Sequence, residues 1–327
     1  MREVAFIKNN KEKWLEFEKA IFGKQLKNPD ELASLYTQLV NDLSYAQTYY
    51  PKSKTILYLN NLAAKAFQKI YKTKREDTNR FLHFWKIEVP LIVYEYRRYV
   101  LYAFLIFGVF VAIGALSAAF DDSFVRLILG DEYVNQTLEN IEADDPVAVY
   151  KSGSNWGSFF GITLNNLYVG ILSFVYGVFG GLGTGYVLME NGIMLGAFQY
   201  MFQKEGVLWE SVRGIWIHGA MEIFAIVIEG AAGLLLGASI LFPKTYSRLI
   251  SFKQGVKNGV KILISTFPFT VSAGFLEGYI TRYSNTMPNW LSVGIILSTL
   301  SLISFYYLIY PFIVNRKTKQ AYAIISK

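Results

Sequence analysis

Hydrophobic and polar positions divide this chain into two unequal parts. In the first 98 residues the apolar positions recur at helical spacing. Trp14, Phe17 and Ile21 mark one face of a first helix. Asn28-Pro29-Asp30-Glu31 then reads as a helix start, with a capping side chain, proline in the first turn and early acids. That second helix is expected to run to Tyr50 and stop at Pro51. A third, about 53–72, places Ile56, Leu59, Ala63, Phe67 and Ile70 on its buried side. The polar run TKREDTN leads into FLHFWKIEVPLIVYEYRRYV, which reads as an interfacial helix kinked or broken near Pro90.

From Tyr99 onward the pattern changes to apolar runs of about 20 residues, long enough to cross a bilayer. The first is 99–120. The second lies within 158–189, a stretch with no charged residue and seven glycines. Its cluster GVFGGLGTG lacks the lysine of a phosphate loop and reads as a close-packing face or a helix break. Glu190-Asn191-Gly192 reads as a turn, followed by a short apolar piece, 193–202. Further runs follow at 214–242, about 262–280 and 290–314, with Glu277 placed near the end of its span and read as reaching the interface. The expected fold is all-α: a polytopic α-helical membrane bundle over 99–314, an N-terminal helical cytoplasmic domain over 1–98 that includes the interfacial helix, and a basic cytoplasmic tail over 315–327.

Charge sets the expected topology. Residues 1–98 carry 18 basic and 11 acidic side chains, a mixed-sign surface. Residues 121–157 carry eight acids and two bases and suit the extracytoplasmic face, whereas Lys244, Arg248, Lys253, Lys257 and Lys261 fall in what reads as a basic loop without an acid. Placing that basic stretch, the tail and the N-terminus inside requires an even number of crossings. Six follow if 193–202 is a short or broken crossing; if it is re-entrant, the basic stretch lies outside. The formal charge of +7 is spread beside the spans, which argues against nucleic acid as a partner. The absence of cysteine excludes disulfides and thiolate chemistry. Met1–Asn10 has no apolar core, so no cleavable signal peptide is expected.

The run 214–242 carries the candidate chemistry. At 100° per residue, Glu222 and Glu229 fall about 40° and 20° from His218, so the three share one stripe of a membrane helix. Ionised acids facing lipid cost roughly 2.5–3.5 kcal/mol each on insertion scales, so the stripe faces protein or water. Beside it, Gly219, Gly230, Gly233 and Gly237 offer a surface for close helix packing. Asn165, Asn166, Glu190 and Asn191 are the candidate polar partners. Three readings follow. The first is a structural clasp between helices. The second is a proton or ion pathway. The third is a metal site resembling H-E-x-x-H, although this is H-G-x-x-E and the other histidine, His83, lies in the first part of the chain. No resident cofactor is expected.

Four segments carry a resemblance to a known family: LYTQLVNDLSYAQTYYP, the Asn165-Asn166 opening of the glycine-rich span, ENGIMLG, and IHGAMEIFAIVIEGAAGLLLG. Together they resemble the stage II sporulation protein M family of integral membrane proteins, in its branch outside sporulation. The resemblance implies a multi-pass plasma-membrane protein; the family's namesake works in a membrane complex with partners that degrade peptidoglycan. The expectation is therefore a non-enzymatic scaffold or assembly component, docking membrane or cytoplasmic proteins through its N-terminal domain and able to self-associate. A transporter or channel-like protein is the alternative, and an intramembrane metal-dependent hydrolase comes third.

Overall fold

The computed structural model describes residues 2–22, 29–70, 79–143, 145–151 and 154–325. Among them, regular structure is helical throughout. The chain divides into two compact units, Met1–Asp77 and Thr78–Lys327. The division falls earlier than residue 98, because the aromatic stretch after Asn79 packs into the second unit.

The first unit is built from α1 (Glu3–Phe22), α2 (Pro29–Tyr49) and α3 (Lys54–Ile70). Asn28, Thr73 to Thr78 and the side chains of Ile21 and Ile70 lie outside the described residues. Phe6, Trp14, Phe17, Leu39, Leu43, Leu59 and Leu62 form the core, and Trp14 Nε1 donates to Asp42 at 2.9 Å. Phe67, expected on the buried side of α3, is exposed.

The second unit begins with α4, made of Arg80–His83, a π-helical turn Phe84–Glu88 and Val89–Glu95. Pro90 does not break it. The proline cannot donate to the Lys86 carbonyl, and the Tyr310 hydroxyl does so instead at 3.1 Å. Val89, Ile92 and Val93 are buried in the bundle core.

Among the described residues, five helices are long and apolar enough to cross a membrane: α5 (Arg97–Phe120), α8 (Asn155–Val175, extended by a 3₁₀ turn to Phe179), α10 (Leu208–Leu241), α11 (Arg248–Phe275, extended to Tyr283) and α12 (Asn289–Ser304, extended through Tyr310–Ile325). Between them stand α6 (Asp122–Leu129), α7 (Asp131–Glu142) and α9 (Leu182–Lys204). In α10, 78% of the most apolar stretch is buried, against 22% in α5 and 17% in α12. α10 is therefore the axis of the bundle, and the outer helices give their apolar faces to lipid.

Two local expectations are corrected. The chain does not turn at Glu190-Asn191-Gly192, which lie inside α9. It turns at Gly180 and Gly181, both left-handed (φ 67° and 85°). Gly192 and Gly196 instead let the backbone of α9 lie against α5: a Cβ on Gly192 would fall 2.9 Å from the Phe107 carbonyl oxygen, and one on Gly196 would strike that of Val111. The basic stretch after Phe242 is likewise not a loop beyond Ser247, because Arg248, Lys253, Lys257 and Lys261 occupy the first turns of α11.

Candidate functional site

α10 and α11 pack side by side, and their polar residues meet in pairs. Near the Leu208 end of α10, His218 faces the last turns of α11. Its Nδ1 lies 2.9 Å from the Thr281 hydroxyl and its Nε2 lies 3.7 Å from Glu277 Oε2. Two turns beyond Glu222, Glu229 accepts from Thr266 at 2.6 Å. The α11 extension makes the first meeting possible. A π-helical turn at Leu276–Ile280 adds a residue to the turn and is followed by a 3₁₀ turn at Thr281–Tyr283, so Glu277 and Thr281 both reach His218.

Around this point the bundle holds a cavity of about 420 Å³. Its walls include His218, Glu222 and Glu277, with Asn165 and Asn166 from α8 and Asn191 from α9. Ile128 and Leu129 of α6 and Tyr133 of α7 also line it. These two amphipathic helices rest on the bundle through Val125 and Val134, which pack with Ala197, Met201, Phe202 and Ile215. An ion pair from Asp122 to Lys204, at 2.7 Å, fixes α6 to the end of α9. Burial raises the Tyr133 phenol above its ordinary pKa, against a hydrogen bond with Thr137 and with a smaller contribution from Glu277.

The donor set is mixed and close. One nitrogen of His218 and one carboxylate oxygen each of Glu222 and Glu277 lie within 4.8 Å of one another. His218 and Glu277 are buried, and Glu222 is half-buried. Asn166 is buried, and its amide faces the Glu222 carboxylate without closing a full hydrogen bond. The groups can hold a proton or a cation between them, and the cavity has room for water.

The sequence-derived residues separate on this frame. His218, Glu222, Asn165, Asn166 and Asn191 share the cavity, although the Asn191 amide donates to Val187 of its own helix. Glu229 lies outside it, bonded to Thr266 with its carboxylate against Gly170. Glu190 is turned elsewhere and pairs with the Tyr186 hydroxyl. His83 stands at the start of α4 and takes no part. Of the glycines, Gly230 abuts Leu188, Gly233 abuts Thr184 and the Ser173 carbonyl, and Gly237 abuts the Gly180-Gly181 backbone. Gly219 faces the cavity, where a Cβ would meet nothing nearer than 3.9 Å.

Glu277 and Thr281 are the residues that sequence reasoning missed. Glu277 is the one acid in its apolar run, and counted from the same end of the bundle it lies within about a turn of the depth of His218. That match in depth was the available signal.

A family model described as Stage II sporulation protein M matches residues 103–282, more than half of the 327-residue chain. Every residue lining the cavity falls inside that span. A second, a domain of unknown function (DUF8413), matches residues 4–72 and coincides with the three-helix unit. No curated protein and no solved structure matches the chain.

Proposed function

The chain belongs to the stage II sporulation protein M family, and from that premise we propose that it is a multi-pass plasma-membrane protein whose bundle takes up a small cation, in the manner of a transporter. The observation that carries this reading is the cavity of about 420 Å³ among His218, Glu222, Glu277 and Asn166. A clasp between helices needs hydrogen bonds and no space. Acids, an imidazole and a buried amide around a void are arranged for something that comes and goes.

Six crossings accompany this reading. With 23 residues, α9 spans roughly 34 Å at 1.5 Å per residue, enough for a hydrocarbon core of about 30 Å. Six crossings put the N-terminus, the basic start of α11 and the basic end of α12 together in the cytoplasm and the acidic helices α6 and α7 outside. The chain has no cysteine of its own, so single cysteines at Lys253, Lys319 and Glu139 can be labelled cleanly. Labelling of position 253 from outside would remove the six-crossing arrangement.

The cation reading is tested with the full chain in liposomes, following proton and metal-ion uptake with internal dyes. Uptake above that of empty liposomes, lost in a folded Glu222→Gln variant, is the expected result. Equal uptake with and without the protein refutes it. A second role as an assembly partner is favoured by the three-helix unit, which exposes Val4, Tyr49 and Leu57. Capture of the same membrane proteins by full-length chain and by chain lacking 1–77 would dismiss it.

A further inference from the structure

The pair formed by His218 and Glu277 has an unusual gap. The Thr281 hydroxyl is within 3.3 Å of the Leu276 carbonyl and donates to it. Its oxygen can then accept from the His218 Nδ1 that lies 2.9 Å away. In that tautomer Nε2 carries the lone pair, and Nε2 lies 3.7 Å from Glu277 Oε2. Two lone-pair atoms facing each other in a buried site are relieved by a proton, a water or a cation between them. A shared proton would draw them to about 2.7–2.9 Å. A metal bound at about 2.0–2.2 Å to each would hold them roughly 3.3–3.6 Å apart at tetrahedral angles. The observed spacing fits the metal better than the proton.

The third donor is in place. Glu222 stands one helical turn from His218 on the same face, and its carboxylate lies within the 4.8 Å set. Asn166 adds an independent sign of a ligand. It is 6% exposed, lines the same cavity, and its amide is turned to the Glu222 carboxylate without closing a full hydrogen bond. Such a donor suits the outer oxygen of a ligating carboxylate or a metal-bound water.

We propose that His218 Nε2 and the carboxylates of Glu222 and Glu277 form a binding site for a divalent first-row transition-metal ion, with Thr281 holding the imidazole in its ligating tautomer. An imidazole beside two carboxylates suits zinc, manganese or iron, whereas magnesium and calcium favour oxygen alone. The proposal rests on the reading of the cavity as a cation site and names the class of cation.

The test uses purified full-length chain in detergent with Co²⁺ as the probe. Wild type should develop visible d–d absorption that saturates at one Co²⁺ per chain and is displaced by Zn²⁺. His218→Gln and Glu277→Gln should abolish it, and Glu190→Gln should leave it unchanged. Thr281→Val keeps every ligand, and it should weaken binding by about 10–100-fold, as loss of an outer-shell partner does. The wild-type spectrum needs no variant, so misfolding of a ligand variant cannot hide the answer. Absence of a saturable spectrum from folded wild type, or equal affinity in wild type, His218→Gln and Thr281→Val, overturns the site. Saturable binding without liposome uptake of any cation sinks the transport reading and leaves the site standing. Uptake without saturable binding does the reverse.

Discussion

The two halves of the stripe on α10 share a helix, a face and a residue type, yet they are built in opposite ways. At His218 and Glu222 the neighbours stand back and leave a cavity, and Gly219 beside them touches nothing. At Glu229 the neighbours close in: Thr266 bonds the carboxylate, Gly170 lies beneath it, and Gly230, Gly233 and Gly237 bring other helices onto the backbone of α10. A buried acid is therefore no sign of function by itself. With one short bond and no room it ties helices together; with room beside it and other polar groups around that room it can receive a ligand. On the cation reading, the packed half is the barrier on the far side of the cavity.

The sharpest way to break this contrast is to add the same methyl group at both ends. Gly237→Ala drives a Cβ into the Gly180-Gly181 backbone, and that left-handed turn has no slack. The expected loss is about 1–3 kcal/mol or more, as overpacking gives, read as a lower thermal midpoint and aggregation in detergent. Gly219→Ala meets open space, so it should be neutral or gain up to about 1 kcal/mol from helix propensity. Equal destabilisation at the two positions would erase the distinction.

Next in size is the acid itself. Glu229→Leu should cost about 1–2 kcal/mol of helix association, while Glu229→Gln, which still accepts from Thr266, should stay near wild type. Glu222 should show the reverse order of effects. Glu222→Leu should shift the thermal midpoint less than Glu229→Leu but abolish cation uptake, and Glu222→Gln should abolish uptake as well. If Glu229→Gln also stops uptake in a folded protein, the far half is part of the pathway rather than its barrier.

The smallest effect concerns a helix that lines the cavity. Asp121 caps α6, and hydrogen bonds from the Ser123 hydroxyl and backbone N–H hold its carboxyl below the ordinary value of 3.8. A lowered folded-state value means its contribution is fully present above the unfolded value and is lost as pH falls through the folded one. Amide exchange in α6 should therefore quicken only under acid, and Asp121→Ala should remove that acid dependence while leaving the packed half of α10 protected.

The sequence made one side of this site legible and hid the other. The stripe on α10 followed from a fixed 100° step along one helix. The cavity required knowing which helices face that stripe and at what depth. Glu277 was read as reaching the interface because it sits near the end of its apolar run; a π-helical turn, which no periodic reading anticipates, turns it inward. Asn191-Gly192 looked like a turn because that dipeptide makes turns in water. In a membrane its glycine serves backbone contact with α5, and the break falls instead at the two glycines that need positive φ. The basic stretch looked like a loop because charge was taken as a span boundary. Its Gly255 and Gly259 pack against Ser239 and Phe174, so the helix continues through it. In each instance a tertiary neighbour decided the outcome.

The central position of α10 also has a consequence for how the protein is made. During synthesis α5, α8 and α9 reach the bilayer before it, and α11 follows. Until α11 arrives, Glu229 has no Thr266 and His218 has neither Thr281 nor Glu277. A nascent chain ending near Phe242 would present the stripe to lipid or to any passing helix with a spare hydroxyl. Completion of the bundle is thus signalled chemically, by the disappearance of exposed polar groups from the hydrocarbon. A membrane quality-control protease that recognises such groups could distinguish finished molecules from stalled ones without inspecting anything else.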